Sequence, residues 1–144
     1  DIDALAAAPP PSTLAANRAW IDRCFVGDDV LAILAALDTA PEEEARAAAT
    51  TIRTKSPRAV AVTLASLRRA RAMSSLDAVL EQEFTVSCNL IHAHDGKEGI
   101  RALIVDKDRN PQWDPRTLED VTPADVADAF DPRDYGTLGL LAGA

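Results

Sequence analysis

Ser75-Leu-Asp-Ala-Val-Leu80-Glu-Gln-Glu-Phe84-Thr-Val-Ser-Cys88-Asn-Leu-Ile91-His-Ala-His94 is the stretch on which the fold reading turns. Its apolar residues Leu76, Val79, Leu80, Phe84, Cys88 and Ile91 recur with the 3.6-residue period of one helix face, not with the alternation of a strand. Ser74 or Ser75 supplies a hydroxyl able to cap a helix start. The spacing predicts one long amphipathic helix over about Leu76 to His94, buried along that stripe.

Reading upstream, Ser56-Pro57 opens a helix carrying Val60, Leu64 and Leu67, and Arg68, Arg69 and Arg71 suit its negative end. Before it, Thr39-Ala-Pro41-Glu-Glu-Glu44 is a helix start that should run out near Lys55. Asp28 is placed to cap a helix through Val30, Leu31, Ile33, Leu34 and Leu37. Ser12 or Thr13 caps a first helix from about Leu14 to Phe25, which Gly27 ends. Ala6-Ala-Ala-Pro-Pro-Pro11 reads as a stiff linker.

Downstream, Asp95-Gly-Lys-Glu98 has capping-box spacing for a helix through Ile100, Leu103 and Ile104, broken by Asn110-Pro111. Asp114-Pro115 prolongs the loop, and Thr122-Pro123-Ala-Asp125 starts a last short helix ending near Phe130. The expectation is an all-α chain of about seven helices. Residues 1–13 form its linker, 14–130 its helical region and 131–144 an irregular tail. Ile104-Val105, the nearest candidate for a strand, sits inside a capped helical segment.

Composition agrees. Alanine is heavily over-used, alanine, leucine, arginine and glutamate are strong helix formers, and only 4% of the 144 residues are aromatic. A net charge of −8 argues against nucleic acid, which needs a clustered basic surface; the short Arg68, Arg69, Arg71 run has no aromatic interleaving. No apolar run approaches the roughly 20 residues of a membrane span. Cys24 and Cys88 are far apart and read as reduced core thiols in a cytoplasmic protein. The start, Asp1-Ile-Asp-Ala-Leu, is neither a signal nor a transit peptide, and its lack of an initiator methionine suggests an internal product of a longer chain.

Candidate chemistry is sparse. Cys88 and His92 share a helix face four residues apart, but the face is the apolar one and core packing is the preferred reading. His92 and His94 point to different sides of a helix and cannot share a metal there. Glu81 and Glu83, like Glu42 to Glu44, read as solvated faces or partners of a helix N-terminus. There is no phosphate-binding glycine loop and no glycine-rich turn that could build an oxyanion hole. The residues themselves describe a helical domain without a complete catalytic set.

A family resemblance adds to this. The stretch from Ser56-Pro57-Arg58 through Trp113 resembles the 3-hydroxyisobutyryl-CoA hydrolases of the crotonase superfamily. The strongest part is His94-Asp95-Gly-Lys-Glu98-Gly99-Ile-Arg101-Ala-Leu-Ile-Val-Asp106-Lys107-Asp108, closed by Pro111-Gln-Trp113. The Asp-x-x-Glu-Gly element is shared more widely, including with enoyl-CoA hydratases, whereas Arg-Ala with Asp-Lys-Asp and Pro-x-Trp points to the hydrolase branch. Trp20-Ile-Asp-Arg-Cys-Phe25 also looks like that branch, and the resemblance covers about residues 17–130.

What the resemblance implies is an all-helical C-terminal portion of an acyl-CoA thioester hydrolase of valine catabolism. The family's catalytic carboxylate and its oxyanion hole belong to an N-terminal ββα spiral core, and no position here matches them. The expected catalytic set of this chain alone is therefore empty. The expected partner is the missing core, in a homo-oligomer. No cofactor is implied beyond a coenzyme A thioester as substrate. Arg101 and Lys107 are the residues to test as contacts of the coenzyme A phosphates; the alternative pairs Arg101 with a neighbouring carboxylate and has Lys107 cap a helix end. Glu98 is explained as the capping partner of Asp95, Gly96 and Gly99 as permitting a sharp turn and close packing, and Trp113 as an anchor for the loop. Two further readings stand beside this one: the tail of an enoyl-CoA hydratase or isomerase, and a free-standing helical interaction module.

Overall fold

A computed structural model describes residues 10–141, and every regular element in that span is helical. The order is α1 (Thr13–Ala16), α2 (Arg18–Cys24), α3 (Val30–Asp38), α4 (Glu43–Arg53), α5 (Pro57–Arg71), α6 (Leu76–His92), α7 (His94–Ile100), a π turn (Arg101–Val105), a 3-10 turn (Leu118–Asp120) and α8 (Pro123–Asp128). The linker reading falls mostly on residues 1–9, outside the described span, as do residues 142–144 of the tail.

Caps set most of the boundaries. Ser56 Oγ accepts from the Ala59 N–H at 3.0 Å, and Pro57 takes the first turn of α5, where its missing N–H costs nothing. Ser75 caps α6 through the Ala78 N–H, and Thr122 with Asp125 forms a complete capping box on α8. Three expectations shift. The first helix is two, broken at Asn17, whose side chain makes no cap. Asp29, not Asp28, caps α3, because its carboxylate reaches the Leu31 N–H at 2.9 Å. The long helix stops at His92, two residues early, because Ala93 is extended at φ −68°, ψ 171°.

Two small cores hold the helices. Trp20, Cys24, Ile33, Leu34, Leu37, Ala45 and Ala49 pack α2, α3 and α4 together, and the fully buried alanines let α3 and α4 approach closely. Val62, Val86 and Ala129 join α5, α6 and α8. Polar ties cross the same seams: Ser66 of α5 donates to Glu83 and accepts from Gln82 of α6, while Arg58 of α5 pairs with Asp128 of α8 at 2.5 Å.

The apolar stripe of α6 does not form the core. The buried positions are Val86 and Asn89, whereas Leu76 and Ile91 on the stripe are 70% and 54% exposed. Asn89 replaces an aliphatic contact by capping α8 from the side: its amide donates to the carbonyls of Ala129 at 3.0 Å and Asp131 at 2.9 Å. Those carbonyls lie at a helix end and have no intrahelical donor. The helix therefore turns a polar-spaced face inward and leaves much of its hydrophobic face outside.

Candidate functional site

The segment of strongest resemblance folds into one clamp. At Gly96 a Cβ would meet the Leu90 carbonyl oxygen at 2.4 Å and the Ile91 Cα at 2.7 Å, so glycine lets α7 cross the end of α6. Gly99 has no such need, since a Cβ there would meet only the Trp113 ring at 3.5 Å. α7 then widens into the π turn, where the Asp106 N–H reaches back to the Arg101 carbonyl at 2.8 Å. Such turns are uncommon and concentrate at functional places. Lys107 and Arg109 follow with φ of 58° and 55°, left-handed values that cost non-glycine residues free energy. The helical run thus ends at Val105, well before Asn110-Pro111.

Four side chains hold the loop that follows. Asp95 is buried; it accepts from Ser56 Oγ at 2.5 Å and from the Asp114 N–H at 2.8 Å. His94 Nε2 lies 2.9 Å from the Gln112 carbonyl, so that nitrogen carries the proton, and Glu98 accepts from the Gln112 N–H at 2.7 Å. Arg101 makes two parallel bonds to Glu98 at 2.7 and 2.8 Å, and reaches Asp106 at 2.7 Å and Asp108 at 2.6 Å. Trp113 packs beside Gly99 and donates to the Thr54 carbonyl at 3.4 Å, as expected of a loop anchor.

This geometry corrects the capping-box reading of Asp95 and Glu98. The N-cap of α7 is Ala93 and no side chain caps it. Asp95 instead ties the start of α5 to the loop, and Glu98 serves Arg101 and Gln112. The spacing reads as local, whereas Asp95 binds Ser56 of α5 and the Asp114 N–H, and Glu98 binds the Gln112 N–H beside its near neighbour Arg101. The role of Asp95, and of His94 with it, leaves no separate signal in the sequence.

The electrostatics follow from the contacts. The Arg101 guanidinium, and then the Gln112 N–H, hold the Glu98 carboxyl down to about 2. Asp108 is lowered first by the Asn110 N–H and then by Arg101, whose own basicity is raised chiefly by Glu98. Arg101 thus has its donors directed at three carboxylates and the Asn110 carbonyl. Lys107 is exposed and forms no ion pair among the described residues, and its contribution to ending the helix is its left-handed backbone, not a side-chain cap.

Beside the clamp lies an apolar surface. Ile91, Ile100, Leu103 and Ile104 line a hollow of about 800 Å³ with Trp113, and Lys55 and Arg109 also border it. Leu103, Ile104 and Val105 are each more than 60% exposed, three consecutive large apolar side chains facing solvent. Contiguous patches of this kind mark interaction surfaces.

The other candidates lie elsewhere. His92 Nδ1 faces the Cys88 carbonyl at 2.8 Å, not its thiol, and its ring stacks on Tyr135 with centroids 4.7 Å apart. His92 is exposed and Cys88 half-buried, so the pair neither packs in the core nor forms a nucleophile and base. Among the described residues no three His, Cys, Asp or Glu side chains are placed to hold a metal ion. No helix there is long and apolar enough to cross a membrane.

Comparison with known proteins gives the same segment its setting. The chain is 34% identical over 125 residues to the mitochondrial 3-hydroxyisobutyryl-CoA hydrolase of Xenopus laevis, covering 87% of this chain and 32% of that protein. It is 34% identical to 3-hydroxyisobutyryl-CoA hydrolase 1 of Arabidopsis thaliana, covering 77% and 31%. The crystal structure of a carnitinyl-CoA dehydratase from Mycobacterium thermoresistibile superposes with a TM-score of 0.81 at 47% identity, covering 90% of this chain and 37% of that one. An enoyl-CoA hydratase from Rhodobacter sphaeroides 2.4.1 gives 0.78 at 34% identity, covering 88% and 37%. The chain therefore spans about a third of the length of the curated relatives it matches. The enoyl-CoA hydratase/isomerase family model matches residues 2–130, and the chain belongs to that family.

Proposed function

We propose that this chain is the C-terminal helical portion of an acyl-CoA thioester hydrolase of the 3-hydroxyisobutyryl-CoA type. Its catalytic carboxylate and oxyanion hole would lie in the two-thirds of the relatives' length that it does not cover. The observation that carries the reading is the clamp of His94, Asp95, Glu98 and Arg101 around residues 106–114, formed by the segment that most resembles the hydrolases. The exposed Ile100, Leu103, Ile104 and Val105 supply the face against which the rest of the enzyme packs. Such a face costs solubility unless covered.

The two basic residues divide in this reading. Arg101, saturated by carboxylates, is a positioning residue for the loop, and Lys107 is left to contact the coenzyme A phosphates. What supports this is a clamp of charge-assisted bonds that holds a strained, exposed lysine in one place. No cofactor is required beyond the coenzyme A thioester as substrate. The reading also includes a homo-oligomeric parent and, since Cys24 and Cys88 are unpaired thiols, a reducing cytoplasmic setting.

The test is coenzyme A release from 3-hydroxyisobutyryl-CoA, measured on the complete polypeptide and on residues 1–144 side by side, with baselines for both cysteines if a thiol reagent reports. Turnover by the complete polypeptide alone supports the proposal. Turnover by the 144-residue chain sinks it. A second reading, hydration of an enoyl-CoA or dehydration of a hydroxyacyl-CoA, is favoured by the names of the two solved structures; enoyl absorbance that rises from 3-hydroxyisobutyryl-CoA, or falls from an enoyl-CoA, without thiol release selects it. A free-standing module would elute as a compact monomer despite its exposed face, whereas a core-less tail would self-associate.

A further inference from the structure

Residues 131–141 run across the outside of α6 and α8 without regular secondary structure and roof a second hollow, of about 750 Å³. Met73, Phe84, Phe130 and Tyr135 give it apolar walls, and Phe84 is one of the α6 stripe residues that the core leaves out. Arg69 also lines it. Its guanidinium lies 3.7 Å over the Phe130 ring, and no described carboxylate pairs with it.

The strap is tied at few points. Arg133 pairs with Asp128 at 2.5 Å, and Tyr135 stacks on His92. Beyond Tyr135 the only described hydrogen bonds are the Leu138 and Leu140 N–H groups donating to the two oxygens of Glu81, at 3.0 and 2.8 Å. Gly136 and Gly139 take φ of 80° and 74°, left-handed values open to glycine, and no atom lies within 4 Å of a Cβ position at either. A segment with one carboxylate as its far anchor and its leucines half in water opens at low cost.

We propose that residues 131–141 are a lid latched by Glu81, and that releasing the latch opens the hollow beneath to a small aromatic or aliphatic anion held against Arg69. The strap forms the outer wall of the hollow, and a ligand enters past it once the latch is released. This goes beyond the thioester reading and does not depend on it.

The experiment follows amide hydrogen exchange at Leu138 and Leu140 in the complete polypeptide, for the wild type, Glu81→Gln and Glu81→Ala, with binding of 8-anilinonaphthalene-1-sulfonate as the anionic apolar probe. We expect Leu138 and Leu140 to exchange roughly tenfold slower than Thr137 in the wild type, less so in Glu81→Gln, and not at all in Glu81→Ala. Probe affinity rises about fivefold or more in Glu81→Ala and falls back in Glu81→Ala with Arg69→Ala. Equal exchange of all three amides in the wild type overturns the latch. Unchanged probe affinity in Glu81→Ala overturns the lid, and indifference to Arg69→Ala overturns the anion site. Melting curves on the same samples separate lid opening from general loosening, and Glu81→Gln carries the test if Glu81→Ala does not fold.

Discussion

Replacing Gly96 and Gly99 by alanine, one at a time, separates two effects that look identical in the sequence. Both glycines lie within α7, so alanine gains about 1 kcal/mol of helix propensity at each. At Gly99 the new methyl meets the Trp113 ring at an ordinary 3.5 Å, and the gain stands. At Gly96 three backbone atoms of Leu90 and Ile91 lie at 2.4 to 2.7 Å, and a helix backbone cannot step aside as a side-chain tip can. Forcing α7 away from α6 costs about 3 kcal/mol, the upper range of overpacking, or more. The net is a loss of about 2 kcal/mol for Gly96→Ala against a gain of up to about 1 for Gly99→Ala. At roughly 2–4 °C per kcal/mol the melting points should part in opposite directions, down about 4–8 °C and up about 1–4 °C. Differential scanning calorimetry of the two variants reads this directly. A Gly96→Ala protein that melts with the wild type would refute the close crossing of α6 and α7.

Ser56→Ala removes both the cap of α5 and the hydroxyl donor to buried Asp95, and should cost about 2–3 kcal/mol, against about 1 for the cap alone in Ser75→Ala; urea titration compares them. Glu98 titrates at about 2 in the folded chain and near 4.3 when unfolded, so its pairing stabilises fully above the ordinary value and is lost as pH falls from about 4.3 towards 2. Glu98→Gln should flatten that part of the acid limb of a stability curve, and an unchanged limb would remove the pair from the account. If the phosphate role assigned to Lys107 holds, Lys107→Ala raises KM for coenzyme A esters roughly five- to tenfold in the complete enzyme with kcat little changed; an unmoved KM ends that assignment.

Most of the local structure was legible in the sequence, though not the break at Asn17, the cap at Asp29 or the end of α6 at His92. Pro57 after a capping serine, the Thr122 to Asp125 box and the 3.6-residue period of α3, α5 and α6 depend only on neighbours in the chain, and the helices stand within a few residues of where they were expected. The family was legible from His94 to Trp113 for the same reason: a dense run of unusual residues needs no coordinates to be matched. Packing decided the rest. Periodicity marks a hydrophobic face but cannot say which partner covers it, so the α6 stripe of Leu76, Leu80 and Ile91 was expected inside and lies largely outside, with Asn89 buried in its place. Asp95 and Glu98 fit a local cap by spacing, yet beyond Arg101, the near neighbour of Glu98, their partners Ser56, Asp114 and Gln112 lie 14 to 39 residues away. A hydrogen bond that closes a long loop leaves no mark in the residues between its ends. Only the folded chain, by bringing residues 106–114 back onto α7, turned a helix-start signature into a clamp.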